Sequence, residues 1–82
     1  MEERILEIME DIAEGSSTYD GDNLFDEGLL DSFQAVDLVS ELEDEFGIRI
    51  SAKYMVEENF KTKEAIIALV KARMADWFIV VI

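Results

Sequence analysis

One serine in this chain stands where its hydroxyl could take part in chemistry. Ser32 lies in the run Phe25-Asp26-Glu27-Gly28-Leu29-Leu30-Asp31-Ser32-Phe33, and the chain holds no His and no Cys. A serine nucleophile of the triad kind needs an imidazole base, and thiol chemistry needs a thiol, so neither can come from this polypeptide. Ser32 is therefore read as a residue to be modified rather than one that reacts. Asp31 and Gln34 form an Asp-x-x-Gln pattern, the mark of a helix N-cap with a partner reaching back from the first turn. That places Ser32 in the first turn of the helix that follows. Free backbone N–H groups and the positive end of the helix dipole there favour an attached phosphate. The plain reading of an isolated Asp-Ser pair is an ordinary capping serine, and the residues alone leave that reading open.

These residues carry a resemblance. The Leu-Asp-Ser-Phe core from Leu30 to Phe33 resembles the Asp-Ser-Leu signature of acyl and peptidyl carrier proteins. The wider string from Phe25 to Phe33 is similar to the D-alanyl carrier proteins of the teichoic-acid D-alanylation system, and the likeness covers roughly residues 2 to 75. The resemblance implies a 4′-phosphopantetheine arm on Ser32, with Asp31 as the flanking motif residue, whose terminal thiol holds an acyl group as a thioester. It implies three partners: a phosphopantetheinyl transferase, an adenylating ligase (a D-alanine-carrier ligase or an acyl synthetase) and an acceptor acyltransferase. D-alanine is the expected cargo, a generic acyl or peptidyl carrier for fatty-acid, polyketide or nonribosomal peptide synthesis being the alternative. An unmodified acidic helical interaction module is the reading from a different class. In none of these does the chain itself catalyse a reaction.

Eighty-two residues, half of them hydrophobic, suit one domain with a small core. Twenty acidic and seven basic residues give a formal net charge of −13, which argues against nucleic acid or an anionic membrane as partners. Partners with basic surfaces are expected instead. Met1 is followed by Glu2 and Glu3 rather than by a basic and apolar leader, so no secretory signal is expected, and the lack of Cys fits the cytoplasm.

The elements that must position Ser32 follow from spacing. Ile5, Ile8, Met9 and Ile12 recur at helical intervals within residues 2–14, and Gly15-Ser16-Ser17-Thr18 ends that helix. No strong pattern resumes until Asp31, and a connection of about 16 residues exceeds the usual helix-to-helix loop of roughly 2 to 8. Leu24, Phe25 and Leu29 are expected to anchor it to the core. The second helix runs from Ser32 to Phe46, with Leu38, Val39, Leu42 and Phe46 inward and Gly47 as its left-handed terminator. After the alternating Ile48-Arg49-Ile50, Ser51 is expected to cap a short third helix containing Tyr54, Met55 and Val56. Thr62 caps the last helix, with Ile66, Ile67, Leu69, Val70 and Met74 as its apolar set. The fold class is thus all-α: a small carrier-like bundle of three main helices and one short helix, with a long loop between the first two.

On the second helix Asp37, Glu41 and Asp44 fall at i, i+4 and i+7, joined by Glu43 and Glu45. Taken alone such a run is a solvated face. Phe33 and Val36 fit the inward stripe least well and would form a small docking patch beside this acidic rim. The resemblance points the same way, since partner enzymes grip the corresponding helix of carrier proteins.

Two further features carry less. Asp20 to Asp31 has the length of an EF-hand loop, but Leu24 and Phe25 stand where an oxygen ligand and the turn glycine belong, so no metal site is expected. The tail Trp77 to Ile82 departs from the family pattern. It is an apolar extension over residues 76–82, too short for a spanning helix, so no direct membrane insertion is expected. Trp77 and Phe78 are expected to prolong the last helix and pack beneath the first loop; self-association, or contact with a membrane-bound partner, are the other readings.

Overall fold

Ile5, Ile8 and Met9 line one face of α1 (Glu2–Ile12) and are all buried, while Glu3, Glu7 and Asp11 on the other side stay in water. The helix stops two residues before the expected Glu14 because its end is tied off locally. Met9 carbonyl accepts both the Ala13 N–H at 2.7 Å and the Ser16 hydroxyl at 3.1 Å, and Gly15 turns the chain at φ 91°. Glu10 braces the same turn, accepting from Ser17 Oγ at 2.6 Å and from the Gly15 N–H at 2.9 Å. The Ser17 hydroxyl, followed by the Gly15 N–H, holds the Glu10 carboxyl below its usual range.

The computed structural model describes the backbone of residues 1–81 and the side chains of residues 1–75. Three α-helices and two single 3-10 turns make up the regular structure, and no strand occurs among the described residues. α1 packs against α2 (Ser32–Phe46), and α3 (Lys63–Val81) crosses both α1 and the second 3-10 turn.

The long connection is packed, as its apolar residues require. Leu24 and Leu30 are buried, and Phe25 and Leu29 are partly buried against the core. Burial of a leucine is worth about 1.5 to 3 kcal/mol, enough to hold an otherwise irregular segment in place. Backbone bonds fix it further: Leu24 N–H donates to the Lys61 carbonyl at 2.7 Å and Leu29 N–H to the Leu24 carbonyl at 3.0 Å. Asn23, placed by sequence within a calcium-like run, is a turn residue whose Oδ1 accepts the Phe25 and Asp26 N–H groups. Lys63 reaches Asp20 at 2.7 Å, and that bond raises the Lys63 pKa.

The expected short third helix is two separate turns, Ala52–Tyr54 and Glu57–Asn59. Val56 divides them in extended backbone, at φ −120° and ψ 151°, and the Ser51 side chain makes no capping bond. A β-branched residue between two short polar stretches offers little to sustain a continuous helix. Before these turns Ile48 and Ile50 point into the core while Arg49 is exposed. Glu43 accepts the Ile50 N–H at 2.8 Å, and Arg73 Nε donates to the Arg49 carbonyl at 2.9 Å.

Thr62 caps α3 as its type and place foretell, its Oγ1 accepting the Ala65 N–H at 3.0 Å. Ile66, Leu69 and Val70 are buried, with Ile67 and Met74 packed against the same core. The helical backbone continues through Trp77 and Phe78 to Val81. The packing foreseen for the Trp77 and Phe78 side chains lies outside the described residues.

Candidate functional site

The site is built on the start of α2. Asp31 stands in extended conformation as the N-cap; its Oδ1 accepts the Gln34 N–H at 2.8 Å, and its own N–H donates to Gln34 Oε1 at 2.9 Å. This reciprocal pair sets the first helical residue at Ser32. At the far end Gly47 adopts φ 63° and its N–H donates to the Glu43 carbonyl at 2.9 Å, so both helix limits match the sequence reading. Ala35, Leu38, Val39 and Leu42 bury the inner face.

Phe46 packs half-buried beside this inner face, and the opposite side of α2 faces solvent. Ser32 is exposed, Phe33 is 85% exposed and Val36 56% exposed. Phe33 and Val36, three residues apart, lie on one side of the helix. Asp37, Glu41 and Asp44 are exposed as well. At about 1.5 Å rise per residue, Asp44 lies about 18 Å along the axis from Ser32. Glu43 and Glu45, expected to join that acidic rim, are engaged elsewhere: Glu43 holds the Ile50 N–H, and Glu45 meets Arg4 at 3.2 Å. Arg4 lies 41 residues away in sequence, too far for spacing to reveal the pair.

Beside Ser32 opens a cleft of about 290 Å³. Phe25 from the long loop, Val36 from α2, and Met55 and Phe60 from the region of the two turns give it apolar walls, with Glu57 at its edge. Ser32 borders the same cleft. Val56, 48% exposed, adds a third apolar side chain to the outer surface. Met55 and Val56, expected on a helix, instead lie between the two 3-10 turns and line this cleft with Val36 of α2.

The model of the phosphopantetheine attachment site family matches residues 3–70 of the chain, a span that contains this helix start. A D-alanyl carrier protein of Listeria welshimeri is 38% identical over 72 residues, covering 85% of this chain and 92% of its own. Those of Lactococcus lactis subsp. cremoris and Abiotrophia defectiva are 37% and 34% identical, covering 89% and 92% of this chain and 95% and 98% of theirs. The chain belongs to the D-alanyl carrier protein family.

The group that this carrier family bears is 4′-phosphopantetheine, covalently held. The residues around Ser32 fit such a group on two counts. An exposed hydroxyl in the first turn of a 15-residue helix can bear a phosphodiester beside free N–H donors. The adjoining cleft offers apolar walls to a flexible arm. Like others of its family, this carrier holds a substrate and leaves the catalysis to its partner enzymes. Among the described residues no helix is long and apolar enough to cross a membrane.

Proposed function

We propose that Ser32 is the attachment residue and that the carrier holds D-alanine as a thioester on the arm. The observation that carries this reading is the reciprocal cap between Asp31 and Gln34, which puts an exposed Ser32 at the head of α2 inside the matched span. In the modification, Ser32 Oγ bonds to the phosphorus of coenzyme A that bears the pantetheine. The phosphoanhydride bond breaks, the nucleotide bisphosphate leaves, and the serine proton passes to a base of the transferase. The bound group supplies a thiol, the nucleophile that this cysteine-free chain lacks. The chain's own residues present the hydroxyl, hold negative charge near the helix N-terminus, and offer Phe33 and Val36 as contact surface and Asp37, Glu41 and Asp44 as steering charge.

The partners in this reading are a phosphopantetheinyl transferase, an adenylating D-alanine-carrier ligase and an acceptor acyltransferase, met in the cytoplasm. Support for D-alanine comes from the names of the relatives at 34% to 38% identity. The test compares thioester formation on the modified protein by a D-alanine-carrier ligase and by an acyl synthetase, read by intact mass. Loading by the former is expected, and loading by the latter alone would move the chain to the generic acyl carriers. A protein purified from its native host without added mass on Ser32 would favour the unmodified interaction module.

A further inference from the structure

One amide holds both ends of the long connection. Gln34 Oε1 accepts the Asp31 N–H at 2.9 Å, and Gln34 Nε2 donates to the Ile12 carbonyl at 3.3 Å. Ile12 is the last residue of α1 and Asp31 the N-cap of α2, so residues 13–31 leave from and return to the same side chain. The Ile12 carbonyl belongs to the last turn of α1, whose oxygens have no partner within the helix. The bridge needs an acceptor and a donor on one short planar group, which an amide supplies and a carboxylate does not.

The two halves of this bridge do different things. The bond to Asp31 belongs to the cap and sets where α2 begins along the chain. The bond to Ile12 crosses between helices and sets where that beginning sits against α1. Ser32 lies between Asp31 and Gln34 in sequence, so a shift of the head of α2 against α1 carries Ser32 with it and strains this second bond. Resting on the reading of Ser32 as the attachment site, we infer that Gln34 is a positioning residue for that modification. It ties the head of α2 to the end of α1, so that the hydroxyl meets the transferase in one place.

Substitution separates the two halves. Gln34→Glu keeps an oxygen for the Asp31 N–H and a negative charge favourable at a helix N-terminus, but turns an anion toward the Ile12 carbonyl. Gln34→Leu removes both bonds. Modification of the full chain by a broad-specificity phosphopantetheinyl transferase with coenzyme A, followed by intact mass, yields kcat and KM for each form. The loss of one positioning bond is expected to lower kcat roughly three- to tenfold in Gln34→Glu, with the protein still folded at the assay temperature. KM should hold within about twofold, because Phe33 and Val36 remain on the surface. A wild-type kcat in Gln34→Glu, or a loss carried wholly by KM, overturns the inference. Should Gln34→Leu fail to fold, hydrogen exchange of the Gln34 side-chain amide in the wild type decides: protection supports the tie, and exchange at the rate of free glutamine refutes it. If the wild-type chain accepts no group on Ser32, the attachment reading fails, while the exchange measurement still reports on the tie.

Discussion

The side-chain amide of Asn23 donates to the Glu57 carboxylate at 2.8 Å, joining the long loop to the second 3-10 turn at the edge of the cleft beside Ser32. The Asn23 side chain thereby makes three bonds, since its Oδ1 also accepts from the Phe25 and Asp26 N–H groups. Asn23→Ala is expected to cost about 1 to 2 kcal/mol and Glu57→Ala less, because the second change removes one exposed bond and leaves the turn intact. Urea unfolding of both variants checks the order, and an equal cost would mean that the turn bonds contribute nothing.

Asp31 and Ser32 are neighbours with separable roles. Asp31→Ala should destabilise the fold by about 0.5 to 2 kcal/mol through loss of the N-cap, whereas Ser32→Ala should leave the unfolding midpoint nearly unchanged. Ser32→Ala should also accept no phosphopantetheine. Peptide mapping after treatment with the transferase tests this directly, and a group found on Ser16, Ser17, Ser40 or Ser51 would relocate the site.

Charge on the outer face of α2 should act on encounter more than on chemistry. Reversal at Glu41 or Asp44, Glu41→Lys for example, is expected to slow association with the loading ligase. Salt should do the same to the wild type, since exposed charges are screened beyond about 10 Å at 0.1 M. Phe33→Ala should instead speed dissociation, as loss of a close apolar contact does. Stopped-flow binding at several ionic strengths resolves the two effects. Rates indifferent to salt and to both reversals would move the docking surface off α2.

Acid should loosen the turn after α1. Glu10 has its folded pKa lowered from an ordinary value of 4.5, chiefly by the Ser17 hydroxyl and then by the Gly15 N–H. A depressed carboxylate contributes stability that is fully present above its unfolded pKa and lost as pH falls through the lower folded value. Wild-type protein should therefore lose more stability than Glu10→Gln between about pH 5 and pH 3. Thermal unfolding across that range gives the comparison, and parallel curves would remove Glu10 from the acid response.

The parts of this architecture written in local sequence were legible. The Asp31 and Gln34 cap, the Gly47 terminator and the Thr62 cap each depend on residues within one helical turn, and all stand where spacing puts them. Leu24 announced a packed loop by being apolar in an otherwise polar stretch. Bonds between distant residues left no such trace. Gln34 shows its cap but not its reach to Ile12, 22 residues back, and Glu45 reads as a rim charge until Arg4 is beside it. The short third helix is present as two 3-10 turns, since the consecutive Tyr54, Met55 and Val56 carry no helical period that could fix its extent. Extended backbone at Val56 yields two turns and one wall of the cleft.

The non-helical residues Ile48 to Ile50 also bear on how such a domain behaves when many copies are present. Bare N–H and C=O groups along an extended segment are a template on which another molecule can add a strand. Here Glu43 occupies the Ile50 N–H and Arg73 the Arg49 carbonyl, both with side chains of the same domain. Two groups that could start an intermolecular β-ladder are thereby already engaged, and the isoleucines that would make such a ladder adhesive are turned into the core. Glu43, which first looks like one more negative charge on an acidic helix, closes one of these backbone groups to another molecule.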